Sequence, residues 1–156
     1  MRVLAIDPGY GRCGVAVLER EHGRERYLFS DCIETLSSSP FDERLSIVAN
    51  ECERLIKKFK PDALALERLF FDKNRKTAMQ VAEVRGAVIH IASRAGIPVS
   101  EYTPAQIKNA TAGFGRADKK QITQMLHMLL DIGKPIKLDD EYDAIAVGIT
   151  HLAHVR

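Results

Sequence analysis

The apolar residues change period after Ile33, and that change constrains the fold more than any other feature of the chain. Ahead of it the pattern is that of strands. Val3–Ile6 is a short apolar run stopped by Asp7-Pro8-Gly9, where proline and glycine signal a turn. Gly14–Leu18 is apolar again, Glu19–Gly23 is polar and turn-like, and Tyr27–Ile33 resumes. Three strands joined by short turns make an antiparallel meander. Beyond it, Leu45, Val48, Cys52, Leu55, Ile56 and Phe59 follow steps of three and four, the spacing of an amphipathic helix. Ser39-Pro40 supplies an N-cap with proline in the first turn, and Pro61 stops the helix.

The remainder alternates between the two periods. Ala63–Leu66 reads as a buried strand with Glu67 at its end, and Asn74–Ala95 as a long helix closed by Gly96. Pro98–Tyr102 is a further short strand, and Thr103 caps a short helix to Asn109. Gly113-Phe114-Gly115 is a loop. Ala117–Leu130 is helical, with Ile122, Met125, Leu126, Leu129 and Leu130 on one face, and a last helix starts near Asp139 or Asp140. The predicted fold class is α/β: a mixed five-stranded sheet with helices on both faces. Strands separated by helices should be parallel, through right-handed crossovers.

With 156 residues the chain reads as a single domain, 1–156, large enough for a real core. Its 46% apolar and 28% charged residues exclude a disordered chain, a coiled coil and a collagen. No apolar run approaches the ~20 residues of a membrane span. The stretch before Asp7 is too short for a signal peptide and has no cleavage site, which places the protein in the cytoplasm. Cys13, Cys32 and Cys52 are odd in number and form no CxxC pair, so free thiols in or near the core are expected. Residues 68–120 carry ten basic and four acidic side chains, net +6, while the rest of the chain is net −4. That asymmetry fits a phosphate-binding face around an acidic centre, and equally a set of solvated helices.

Four carboxylates stand out by position. Asp7 ends the first strand and Glu67 the fourth, so they meet at one edge if those strands are neighbours. Asp140 and Asp143, three apart at a helix start, share one face. Such a cluster does not stay ionised at contact distance without a cation. Oxygen ligands without His or Cys select Mg²⁺ or Mn²⁺, and two such ions suit phosphodiester hydrolysis. Each acid also has a plainer role: Asp7 as a turn former, Asp140 and Asp143 as helix-start acids favoured by the macrodipole. Glu67, directly after Ala-Leu-Ala-Leu, is poorly placed for solvation.

Asp7-Pro8-Gly9, Glu67 followed by Phe70-Phe71 and Asn74, and Asp140-Glu141-Tyr142-Asp143-Ala144 followed by Ala146 and Thr150-His151 resemble the RuvC-type Holliday junction resolvases. The resemblance spans essentially the whole chain and includes Lys108 and Lys119, which look like that family's paired basic residues near the scissile strand. It implies a ribonuclease H-like fold and a homodimer. It also implies Mg²⁺ or Mn²⁺, two ions per site with DNA bound, and Asp7, Glu67, Asp140 and Asp143 as ligands. The implied activity is symmetric paired nicking of four-way DNA junctions in recombination and repair, leaving 5′-phosphate and 3′-hydroxyl ends. Branch-migration partners follow too, a junction-binding protein and a motor ATPase of the RuvA and RuvB type. Some relatives have His where this chain has Asp140, and some continue beyond Arg156.

Phe70 and Phe71 lie among Arg68, Lys73, Arg75 and Lys76, a mixture that suits stacking on unpaired bases with phosphate contacts. One phenylalanine is expected in the core and the other, Phe70, against DNA. Arg116 and Lys120 join Lys108 and Lys119 as basic DNA-binding candidates. His151 and His154 lie eight and eleven residues after Asp143, about 12 Å or more along a helix, and read as structural. His90 reads as a packed or interface histidine on a helix that covers the sheet and a second subunit. Three other functions fit parts of the chain. Asp7–Gly11 with Gly14 resembles the phosphate loop of actin-like ATPases and sugar kinases, which need two such domains. A binding-only junction protein and a nuclease for RNA–DNA hybrids or flaps share the same scaffold.

Overall fold

A computed structural model describes residues 1–69, 75–113 and 115–155, with backbone only at 75 and 76. The chain runs β1 (Arg2–Asp7), β2 (Arg12–Glu21), β3 (Arg24–Glu34), α1 (Phe41–Phe59), β4 (Ala63–Glu67), α2 (Arg75–Arg94), β5 (Val99–Tyr102), α3 (Pro104–Ala112), α4 (Lys119–Leu129) and α5 (Asp139–His154). One sheet has the order β3-β2-β1-β4-β5. β1 pairs antiparallel with β2, and β2 with β3. β1 and β4, and β4 and β5, are parallel. This is the mixed five-stranded sheet predicted from the change of period.

The central strands are apolar on both sides because both sides are covered. Val3 and Ala5 of β1 and Ala65 of β4 face α3, α4 and α5. Leu4, Ile6, Leu64 and Leu66 face α1 and α2, where Val48, Cys52, Leu55, Val84, Val88 and Ala92 complete a second core. Among the described residues, no helix is long and apolar enough to cross a membrane.

Several boundaries differ from the sequence expectation. Glu19–Gly23 is not a polar turn. β2 continues to Glu21, and only His22 and Gly23, with φ of 51° and 78°, make the hairpin loop. The polar residues are strand residues paired across it, Arg20 with Glu25 at 2.9 Å and Arg26 with Glu21 at 2.5 Å. Ser39 is not the N-cap of α1; Pro40 is, with no side-chain cap bond. The expected Thr103 cap is present and forms a capping box with Gln106, while α3 runs on to Ala112. α4 starts after a second capping box, Asp118 with Gln121, rather than at Ala117. Leu129, placed on its apolar face, is 45% exposed. His90 is exposed and not packed within this chain. The three thiols are free; Cys13 and Cys52 are buried and Cys32 half-buried.

α5 is the helix that sets the site. It is buried nearly all round from Ala144 to Leu152 and crosses the sheet against β1 and β2. Two glycines allow the approach. A Cβ on Gly148 would lie 2.7 Å from Leu18 Cδ1, and one on Gly14 would lie 1.9 Å from the Asp140 carbonyl oxygen. Gly14 pairs with Asp7 in the β1–β2 register, so this contact seats the first turn of α5 over the end of β1. Because the obstruction at Gly14 is backbone, Gly14→Ala should destabilise by about 1–3 kcal/mol. Gly133→Ala, with nothing within 4 Å of its Cβ, should change stability by less than about 0.5 kcal/mol. Urea denaturation of both variants checks this.

Candidate active site

Strand alternation aims two of the carboxylates. Asp7 follows Val3 and Ala5 onto the α5 side of β1, and Glu67 follows Ala65 onto the same side of β4. The Ile6–Leu66 pair brings the two strand ends level. Asp140 and Asp143 arrive from the start of α5. Its first turn holds Asp139, Asp140 and Glu141 and has no side-chain cap, so these acids complement the helix dipole there. Asp143 lies one turn further on, beyond that explanation.

Two clefts share Glu67 and Pro104 as a common wall. One, of about 260 Å³, is lined by Glu67, Lys108, Lys119 and Asp143 over an apolar floor that includes Ile107 and Ile122. The other, of about 290 Å³, is lined by Asp7, Pro8, Glu67, Arg68 and Leu69. Lys119 Nζ donates to Asp143 Oδ2 at 3.3 Å and lies 3.7 Å from Asp139. Arg12, on the start of β2, lies 3.6 Å from Asp140. The structure therefore brings Asp7, Glu67, Asp143, Lys108 and Lys119 to one place, with Asp140 beside it. Lys120 and Arg116 are exposed and line neither cleft. Phe70, Phe71 and Lys73 lie outside the described residues, as do the side chains of Arg75 and Lys76.

The electrostatics are strained in one direction. Burial pushes the Asp7 carboxyl up to about 7, helped by Asp143, Glu67 and Asp140 and opposed by Lys119. Burial, then Asp143, raises Glu67, against Lys119 and Lys108. Asp143 is raised by burial despite Lys119. For Lys119, its own desolvation is outweighed by Asp143 and Asp139, which hold the ammonium in its charged form. An all-carboxylate donor set with surplus negative charge fits a hard divalent cation in ligand type and in charge. Among the described residues no three His, Cys, Asp or Glu are gathered closely enough to hold an ion by themselves.

Other sequence readings meet the structure less directly. Gly9 and Gly14, part of the phosphate-loop resemblance, have packing reasons: a Cβ on Gly9 would lie 2.0 Å from the Arg12 carbonyl oxygen. His151 is 2% exposed, and its Nδ1 lies 3.0 Å from the Tyr102 hydroxyl, a structural contact as expected. His154 Nδ1 lies 2.8 Å from the Thr150 carbonyl oxygen. The sequence reading passed over Arg12 and Glu141. Arg12 pairs across the β2–α5 packing, which no local pattern announces. Glu141 had a signal: it precedes Ile145, Gly148 and Leu152 at helical spacing, a charge at the head of an apolar face.

A family model described as "Crossover junction endodeoxyribonuclease RuvC" matches residues 3–151. A relative of that name from Ruminiclostridium cellulolyticum is 42% identical over 151 residues, 97% of this chain and 91% of its own length. One from Moorella thermoacetica is 40% identical over 97% of this chain and 90% of its own. A solved structure described as "T. thermophilus RuvC in complex with Holliday junction substrate" superposes with a TM-score of 0.93 at 31% identity, covering 100% of this chain and 95% of that one. With near-complete coverage in sequence and in structure, the chain belongs to the RuvC family of crossover junction endodeoxyribonucleases.

Proposed function

We propose that this chain resolves four-way (Holliday) DNA junctions as a structure-selective endonuclease, nicking two opposed strands symmetrically and leaving 5′-phosphate and 3′-hydroxyl ends. The observation that carries the reading is the meeting of Asp7, Glu67 and Asp143 with Lys108 and Lys119 in two joined clefts at the ends of β1 and β4. Membership of a nuclease family with this donor set implies dependence on a divalent metal ion. We assign Asp7, Glu67, Asp140 and Asp143 as ligands for Mg²⁺ or Mn²⁺, two per site with DNA bound. Such ions supply Lewis-acid activation of water and stabilisation of the leaving oxygen.

The protein's own groups do the rest. Asp7 and Glu67, anchored on adjacent central strands, hold fixed positions because neither strand moves without opening both cores. Lys119 balances Asp143 and, on the wall of the same cleft, would offer its charge to a phosphate bound there. Lys108, on the same cleft wall, adds positive charge where it develops on the phosphoryl oxygens. Arg116 and Lys120, both exposed, attract the backbone and contribute salt dependence. Of Phe70 and Phe71, just after Glu67, Phe70 is the one assigned to stack on bases at the junction centre, with Lys73, Arg75 and Lys76 for flanking phosphates. A homodimer gives two sites for two strands. The cytoplasm, and branch-migration proteins of the RuvA and RuvB type, complete the setting.

A labelled synthetic four-way junction, compared with linear duplex, flap and RNA–DNA hybrid, tests the reading. The expected result is paired symmetric nicks that chelator abolishes and that Asp7→Asn slows at least about a hundredfold, a barrier raised by about 2.7 kcal/mol or more. Tight junction binding without nicks in Mg²⁺ or Mn²⁺ would sink it in favour of a binding protein. Cutting confined to hybrid or flap would retain the metal chemistry and discard the junction. Calorimetry supplies a further check. Millimolar Mg²⁺ should raise the thermal midpoint of the wild-type chain, because it binds the native state, and should leave that of Asp7→Asn nearly unchanged. In chelator above pH 7, Asp7→Asn should melt above wild type, since it removes a buried charge crowded by three others, and the difference should shrink as pH falls from about 7 toward 4 and Asp7 takes up its proton.

A further inference from the structure

Glu141 stands between Asp140 and Asp143 in sequence and points away from both. Its side chain is 8% exposed. Ser30 Oγ of β3 donates to Glu141 Oε2 at 2.8 Å, and Lys134 Nζ donates to the same oxygen at 2.7 Å. Lys134 Nζ also donates to the Ser30 carbonyl oxygen at 2.8 Å. The Tyr27 hydroxyl lies 3.0 Å from Ser30 Oγ. Since the single Ser30 proton goes to Glu141, Tyr27 is the donor in that contact. Ile132 and Ile136 pack on the α5-side core and hold the segment that carries Lys134.

A buried ion pair of this kind is a weak source of net stability, because desolvation offsets much of the attraction. Its geometry fixes something instead. The bonds tie the first turn of α5 to β3, two strands away from β1, while Gly14 supports the same turn from below at Asp140. One turn of helix is thus pinned at two points, the Asp140 backbone over Gly14 and the Glu141 side chain against Ser30 and Lys134.

We propose that Glu141, with Lys134 and Ser30, is a positioning device that sets the rotation and height of α5 so that Asp140 and Asp143 face Asp7 and Glu67. The inference rests on reading those four acids as cation ligands. Lys134 lies outside α5 and is bonded to Glu141 rather than to the four acids, so changing it alters no residue of the helix start and no ligand. A residue hydrogen-bonded directly to a metal ligand is worth roughly 10–100-fold in metal affinity; Lys134 acts one step further out, through Glu141 and the helix backbone, so the lower end applies.

The test is Lys134→Met and Lys134→Arg beside wild type, below the melting temperature of each. Three quantities are measured: Mn²⁺ binding by electron paramagnetic resonance of the free ion, junction affinity in chelator, and single-turnover cleavage. Lys134→Met should weaken Mn²⁺ binding by about tenfold. It should slow cleavage at fixed metal while leaving junction affinity in chelator unchanged, and Lys134→Arg should restore most of both. Unchanged Mn²⁺ binding in Lys134→Met would overturn the proposal. So would a loss of junction affinity in chelator without a loss of Mn²⁺ binding, which would make Lys134 a phosphate contact. A wild-type chain that neither binds Mn²⁺ nor cuts the junction would overturn the reading of the four acids, and the proposal with it.

Discussion

Close packing of one helix on two strands is the constraint on which the rest of this structure depends. α5 lies against β1 and β2 only because Gly14 and Gly148 give it room, and because Ala5, Ala16, Ala65, Ala144 and Ala146 line the contact with small side chains. Apolar burial holds the helix there; the absent side chains set how near it comes. The depth of that contact matters at one end above all. It carries the Asp140 backbone down onto Gly14, beside Asp7, so a packing detail becomes the geometry of an acidic site.

The site is in turn in conflict with its surroundings. Burial and mutual repulsion raise Asp7, Glu67 and Asp143 together, and the cations present relieve this only in part. Lys119 engages Asp143, and Arg12 engages Asp140, each at the edge of the cluster. Strain of this sort is expected where a fold keeps groups for chemistry rather than for stability. It persists because the elements bearing the acids are overdetermined: β1 and β4 by cores on both faces, α5 by its buried length and by the Glu141 anchor.

Much of this was legible in the sequence. The change of period separated the meander from the βα units, and the unbroken runs Val3–Ile6 and Ala63–Leu66 are explained by a sheet covered on both sides. Asp7 and Glu67 were readable because strand ends are local features, and capping at Thr103 because its partner is three residues away. The hairpin at His22-Gly23 was hidden by charged residues that look like a turn yet pair across two strands. The fate of Leu129 and of His90 was equally hidden, since periodicity reports a face without saying whether anything covers it.

By itself the sequence determined which segments are strands and helices, which acids end them, and the family whose pattern they match. Those properties follow from spacing of two, three and four residues and from turn chemistry, all of it short-range. Only the tertiary structure decided that β1 lies between β2 and β4, so that Asp7 and Glu67 are neighbours. It also decided which acids of the run Asp139–Asp143 turn toward the cleft and which one turns back toward β3. Ser30 and Glu141 are 111 residues apart, and Lys119 and Asp143 are 24 apart. Such pairs meet only where the helices lie against the sheet, and the absence of side chains at Gly14 and Gly148 sets how closely α5 lies there.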